Sequence, residues 1–366
     1  MGSVDDLILF NGRLTILVAF GHGGELEKTN LTDLIGSEVM AERWNKPIVF
    51  DNSEAEALIA AGIDQIKCHA NISTDVFIAG VSILRTELEI RDPITINNII
   101  SAIHSNAIII DGLDFNFFVN RKIEHIRDKL NHGKNISYHP VTKRYVILKI
   151  RDFSPKLDEK GLKQHYGELI THFLSGETSA RALHGKEISE KIGNDISYYD
   201  EDLYLVSSEG VFILGCEDDL KDLLELLELS ISLLLLFQIY DRKIDSEITT
   251  AFLAINKLHR SKFYTLSWAP KFEKSLLRVS EIGLVILDDI EDLMNPHKIT
   301  PDWYYQSAYM RMLNTLKVWD YGKIVQHKIE TLQNLYNMAR QFSTERLTLI
   351  LEIAVVALIF WEVINL

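Results

Sequence analysis

Cysteine is scarce in this chain, which carries only Cys68 and Cys216. Two cysteines make no disulfide framework and no CxxC pair, so the sequence suits a reducing compartment, argues against a structural zinc site and leaves two buried thiols as the default reading. Positive charge is also short: 38 Lys and Arg stand against 52 Asp and Glu, a net charge of −14. Phosphate recognition needs a basic face, so no direct nucleic-acid binding is expected. The opening MGSVDDLILFNGRL has Asp5 and Asp6 where a signal peptide is basic, and it lacks the Arg-rich amphipathic pattern of a transit peptide. Asp6 also occupies the position where an N-myristoylated chain has Ser or Thr. No internal repeat and no low-complexity linker is visible.

Signatures of catalysis are equally thin. AFGHGGELEKT, Ala19 to Thr29, sets three glycines, a lysine and a threonine behind an apolar run. A phosphate-cradling loop needs four residues between its first glycine and Gly-Lys-Ser/Thr, and here Glu27 precedes Lys28, so a turn is expected and no cofactor. Triads assemble in space, and no Ser-His-Asp or Cys-His set can be assigned from spacing. His165, Glu168 and His172 lie three and four residues apart, which on a helix puts them on one face as weak candidate ligands for a divalent metal. No HExxH accompanies them, and His-Glu neighbours also occur on ordinary solvated helices. The acidic run Asp288, Asp289, Glu291 and Asp292 reads most simply as a solvated helix face. Tyr198-Tyr199-Asp200-Glu201-Asp202 reads as a loop.

What is present is a core-forming composition, 47% apolar and 25% charged over 366 residues, enough for one large domain or two smaller ones. Leu7 to Phe10 and Leu14 to Phe20 flank Asn11-Gly12, the signal of a type I′ hairpin. Ile48 to Phe50, Val76 to Leu84, Ala107 to Asp111, Tyr145 to Ile150, Leu203 to Val206 and Val211 to Leu214 read as further strands. Helical spacing runs over Thr95 to His104, Arg121 to Leu130, Gly161 to Leu174 and Ala180 to Ile192. Residues 1–216 are therefore expected to form an α+β domain with a mixed or antiparallel sheet. Beyond Cys216 every long segment has helical period, and residues 217–346 are expected to be helical. Asp218 to Tyr240 is apolar, but Asp222, Glu225 and Glu228 interrupt its first half, so it reads as a buried core helix. Helices follow at Glu247 to His259 and Lys274 to Met294. From Trp303 to Phe342, the positions Val318, Tyr321, Val325, Leu332, Leu335, Ala339 and Phe342 form a coiled-coil-like seam broken near Gly322, hence a helical hairpin that favours self-association into a homo-oligomer.

The last stretch, Leu347 to Leu366, is twenty residues, about 30 Å of helix, the thickness of a bilayer's hydrocarbon. Thirteen of the twenty are Leu, Ile, Val or Phe, each worth about −0.3 to −0.6 kcal/mol on insertion, against roughly +3 for a charge at mid-membrane. The charges are Glu352 and Glu362, the latter beside Trp361, and each lies near an end where its carboxylate reaches the headgroups. The balance favours a single transmembrane helix. Arg340 and Arg346 precede it and no Lys or Arg follows, which places the N-terminal domain in the cytoplasm of a tail-anchored chain. The competing reading is a soluble chain whose last helix is buried or docks on a partner.

One resemblance stands out. LLRVSEIGLVILDDIEDLMNPHKITPDWYY, a helical pair and LEIAVVALIFWEV, over residues 276–366, resemble the family called required for meiotic nuclear division, the YagE-type domain of uncharacterised function. Asp292-Leu293-Met294 fits its acidic helix end, Pro301-Asp302-Trp303-Tyr304 its turn, and Glu352 and Glu362 its terminal apolar segment. NPHKI before the turn is longer than the family pattern, and RQFSTER replaces a His-rich linker. The family has no established catalytic residues, and its members are linked to organellar translation and nuclear division. The resemblance therefore implies a membrane-tethered, non-enzymatic scaffold with membrane lipid and a protein as partners. The alternatives are a metal-dependent hydrolase acting on nucleotides or RNA, and a soluble sensor domain.

Overall fold

The computed structural model describes residues 6–22, 47–61, 64–77, 79–131, 141–177, 182–215, 220–260, 283–284, 286–288 and 291–365. The strands are β1 (Ile8–Gly21), β2 (Ile48–Ala61), β3 (Asp64–Val76), β4 (Val81–Ile90), β5 (Ile94–Thr95), β6 (Ile108–Ile110), β7 (Leu113–Asp114), β8 (Thr142–Ser154), β9 (Leu203–Val206) and β10 (Gly210–Leu214). They build one sheet in the order β7-β6-β2-β3-β4-β1-β8-β10-β9, with β5 added to the start of β1. Every pairing is antiparallel except β8 with β10, so the sheet is mixed and the chain is α+β. The helices are α1 (Ile96–His104), α2 (Phe115–Asn131), α3 (Glu159–Ser175), α4 (Gly185–Gly193), α5 (Leu220–Arg260), α6 (Pro296–Ile299), α7 (Trp303–Thr315) and α8 (Val318–Asn365).

Side chains alternate across a strand; the centre of this sheet is covered on both faces, while β2 and β3 alternate buried with exposed positions. On β1 the positions Leu14, Ile16, Val18 and Phe20 enter one core with Leu84 and Leu88 of β4, Val146 and Leu148 of β8 and the apolar stripes of α1, α2 and α3. The opposite parity carries Leu17 of β1, paired with Arg85 on β4 and Tyr145 on β8, and residues Leu14 to Gly21 are buried on both sides. Toward the start of β1 this second face turns polar, with Arg13 Nε 2.6 Å from Glu89 Oε1 and Arg151 Nη1 3.2 Å from Glu89 Oε2.

Several expected elements are redrawn. Asn11-Gly12 makes no hairpin: β1 runs straight through it, and the pairing with β8 shifts register there. A Cβ on Gly12 would lie 2.6 Å from the Lys149 carbonyl oxygen, so the glycine serves a bulge at a close backbone approach. Val76 to Leu84 is two strands, joined where Phe77 N donates to the Val81 carbonyl (2.8 Å) and Gly80 takes φ 105°. Strand β3 and most of β2 are missed in the sequence reading because DNSEAEALIAA and DQIKCHANISTDV lack β-branched runs, although Ile66, Cys68, Ala70 and Ile72 of β3 alternate with polar residues and that period is the signal. α1 is as expected, with Thr95 as N-cap accepting from Asn98 N at 3.2 Å. α5 is one helix of 41 residues where two were expected. Of the helix expected over Lys274 to Met294, residues 283–284, 286–288 and 291–293 are helical, Met294 is a bend past the helix, and the rest lies outside the described residues.

The chain divides into two compact units, residues 1–236 with 296–318 and residues 237–295 with 319–366. In the second, Val325, Ile329, Leu332, Leu335 and Tyr336 of α8 are buried, three or four apart for the most part. The expected break at Gly322 falls instead at Lys317, whose φ is 57°, while Gly322 is helical and a Cβ there would meet the Phe237 ring at 3.3 Å. Lys328 on α8 bridges Asp241 (2.6 Å) and Asp245 (2.7 Å) of α5.

Candidate functional site

The strongest candidate lies in the first unit, where the start of α5 meets the turn between α6 and α7. Asp222, Glu225 and Glu228 are three residues apart on α5, which places them along one face of the helix. The turn is built by Pro301 and Asp302. Proline cannot continue α6 because it has no N–H to donate, and Asp302 caps α7 by accepting from Tyr304 N (2.8 Å) and Tyr305 N (3.3 Å). Gln306 Nε2 donates to the Thr300 carbonyl at 2.9 Å and fixes the loop from the other side. Between these elements opens a cleft of about 400 Å³ lined by Pro47, Phe77, Asp222, Glu225, Leu226, Glu228, Leu229, Ile299, Thr300, Asp302 and Tyr305. Four of these residues are acids and none is Lys or Arg.

At the floor of the cleft Glu228 pairs with the sheet. Arg85 Nε donates to Glu228 Oε1 (2.8 Å), and its Nη2 donates to Glu228 Oε2 (2.6 Å) and to Asp75 Oδ2 (3.0 Å). One guanidinium thus serves two carboxylates, a geometry suited to its planar fork. Burial pushes the Glu228 carboxyl up to about 7 even though Arg85 pulls the other way. Asp75 is also raised, chiefly by burial. Burial works against the Arg85 charge too, but Glu228 and Asp75 outweigh it and hold the guanidinium above its ordinary range. An ionisable carboxyl tuned toward neutrality on the wall of a cleft marks a candidate site.

From the cleft wall a file of aromatic rings leads outward. Tyr305 lies 5.2 Å from Tyr304, Tyr304 lies 4.8 Å from Tyr198, and Tyr198 lies 4.7 Å from Tyr199 and 5.8 Å from Trp303. Trp303 is 68% exposed, Tyr199 57% and Tyr198 48%. The file is pinned from below: Tyr304 Oη donates to the Ile196 carbonyl (3.1 Å), and Arg311 Nη1 donates to the Asp195 carbonyl (2.6 Å).

The turn Pro301, Asp302, Trp303, Tyr304 singled out in the sequence therefore contributes to both cleft and file. The acids of α5 were legible only as interruptions of an apolar run, although their spacing of three is the signal that they share a face. The Tyr198-Tyr199 segment gave no signal, since its partners come from a helix a hundred residues away. The candidate metal face is not assembled: His165 and Glu168 are exposed, Glu168 Oε1 accepts from Leu183 N at 2.9 Å, and His172 is buried. Among the described residues no group of three or more His, Cys, Asp or Glu is placed to hold a metal ion. His22, from the glycine-rich stretch, is buried with Nδ1 2.9 Å from Ser82 Oγ, while residues 23–29 lie outside the described residues. Cys68 is a buried thiol pushed up to about 11 by burial, and Cys216 lies outside the described residues. Asp288, Glu291 and Asp292 are exposed, and Asp289 lies outside the described residues.

Of the expected span, residues 347–365 are helical as the end of α8, while Leu366 and the side chains of Leu347, Trp361 and Glu362 lie outside what is described; Glu352 is exposed. Elsewhere, Leu220–Thr250 of α5 is long and apolar enough to cross a membrane, but 72% of its most apolar stretch is buried, as in a core helix.

A family model described as the N-terminal domain of the uncharacterized protein MJ0711 matches residues 11–220. The uncharacterized protein MJ0711 of Methanocaldococcus jannaschii is 28% identical over 179 residues, 48% of this chain and 52% of that protein, so the chain spans about half the length of the curated relative it matches. The match covers the sheet and α1 to α4, the opposite end from the resemblance over residues 276–366. No solved structure matches.

Proposed function

The chain belongs to the family of the uncharacterized MJ0711 N-terminal domain, and from that premise we propose that it is a tail-anchored, non-enzymatic scaffold. Its α+β unit holds a protein partner, and the end of α8 tethers that unit to a membrane from the cytoplasmic side. One observation carries the tether. α8 runs unbroken for 48 residues, about 72 Å, and in its apolar last third the side chains of Val355 and Val356 are 52% and 60% exposed. A contiguous run of apolar side chains standing outward on a helix marks a surface for lipid or protein. Lipid suits a stretch whose only charges, Glu352 and Glu362, lie near its ends. The likeness of residues 276–366 to the family required for meiotic nuclear division supports the same reading, through that family's membrane-tethered organising role.

Cell fractionation tests it. The full chain floats with vesicles and stays in the pellet after carbonate washing, whereas a chain stopped after Arg346 is found in the supernatant. Release of the full chain by carbonate overturns the tether.

A further inference from the structure

We propose that the acid-lined cleft and the aromatic file running out of it form one docking site for a Lys- and Arg-rich segment of a partner protein. The assignment rests on the scaffold reading above, to which it adds the chemistry of the partner. Two independent features of the first unit converge on it.

The first is charge. Asp222, Glu225, Glu228 and Asp302 line the cleft with no Lys or Arg among the described lining residues. Arg85 faces two carboxylates, Glu228 and Asp75, and Lys221 Nζ lies 3.9 Å from Glu225 Oε1, so two cations meet five acids and the group as a whole keeps a surplus of negative charge. The second feature is the wall between the acids. Phe77, Leu226, Leu229, Ile299 and Tyr305 are apolar, which matches the methylene stem of a lysine or arginine whose charged tip reaches the carboxylates. Outside the cleft, Trp303 and Tyr198 present exposed ring faces on which a neighbouring guanidinium stacks by cation–π attraction. The file is continuous from Tyr305 to Tyr199, so a short extended segment can place one basic side chain in the cleft and others on the rings. An anionic partner is disfavoured here, because phosphate or an acidic headgroup would face the carboxylates of Asp222, Glu225 and Asp302.

The test uses the full-length chain in detergent and a fluorescein-labelled Arg- and Lys-rich peptide, with binding read by fluorescence polarisation. Asp222 and Glu225 are exposed, so Asp222→Asn with Glu225→Gln removes two charges without disturbing the core. Trp303→Ala removes an exposed ring. Glu54→Gln with Glu56→Gln removes the same charge from exposed positions on β2, outside the cleft lining. The parent binds the basic peptide and not a Glu-substituted counterpart; the cleft pair and Trp303→Ala each weaken binding about tenfold, and the β2 pair leaves it unchanged. Equal loss in the β2 pair reduces the effect to general attraction by an acidic protein and overturns the proposal, as does binding that neither cleft variant alters. A parent that ignores the peptide but self-associates through Trp303 also overturns it, in favour of a second copy as occupant. Membrane retention is measured separately on the same full chain, so the tether can fail while peptide binding stands, and the reverse.

Discussion

Two buried titrating groups pull the stability of this protein in opposite directions with pH. The Glu228 carboxyl is raised by burial from an ordinary 4.5 to about 7. The folded chain therefore holds its proton where the unfolded chain has lost it, so the stability it contributes is complete below 4.5 and is lost as pH rises through about 7. Asp75 is raised in the same direction. His22 behaves oppositely: burial, aided by the Arg127 charge, lowers it from 6.5 to about 3. Its neutral ring favours the folded state above 6.5, and that contribution is lost as pH falls toward 3. Between 4.5 and 6.5 the two slopes offset each other, and single variants should separate them. Relative to the parent, Glu228→Gln should gain stability from pH 4.5 to 8 by on the order of 3 kcal/mol, since one pK unit is worth about 1.4 kcal/mol. His22→Asn should flatten the acid side of the profile instead. Urea midpoints across that range measure both, and parallel curves for parent and variants would show that neither group is held as described.

At the scale of elements, conformation turns on single positions whose reasons lie elsewhere in the fold. Asn11-Gly12 carries every local mark of a turn, yet the long antiparallel pairings of β1 with β4 and β8 override it and use Gly12 for a bulge. Nothing near Gly12 in sequence announces the Lys149 carbonyl that requires it. Gly12→Ala should accordingly cost several kcal/mol, on the order of 2–4, because the contact at 2.6 Å is with backbone that cannot swing aside. The end of α7 gives the opposite case. Lys317 sits in left-handed backbone just past the Leu316 cap, where glycine is the favoured residue, whereas Gly322, which resembles a breaker, is helical, and a Cβ there would press on the Phe237 ring at 3.3 Å. Lys317→Gly should raise stability by about 0.5–1 kcal/mol, read as a higher thermal midpoint, and Gly322→Val should lower it. α1, by contrast, was fully legible, since its cap at Thr95 and its apolar spacing are both local.

For the molecule as a whole, the sequence shows the change from strands to helices near Cys216 and hides the cleft, because the latter is made by residues brought together from near 47, 77, 222–229 and 299–305. Long-range assembly also decides which apolar helix belongs where. α5 is apolar enough for a bilayer, but Glu228 pairs with Arg85 of the sheet, and every residue from Leu226 to Leu236 is buried, Glu228, Ser230 and Ser232 included. The end of α8 has a different standing: the buried seam of that helix extends to Tyr336 among the described residues, ten positions short of Arg346. If the tail serves a membrane and not the core, stopping the chain after Arg346 removes nothing that the described seam needs. The shortened chain should keep its thermal midpoint within about 2 °C of the full chain in detergent, an interval worth about 1.5 kcal/mol for a protein of this size. It should also stay dispersed without detergent, because the exposed pair Val355 and Val356 goes with the tail. A drop well beyond that interval would mean that the tail packs on the body, and the apolar stretch would then be a core helix in the manner of α5.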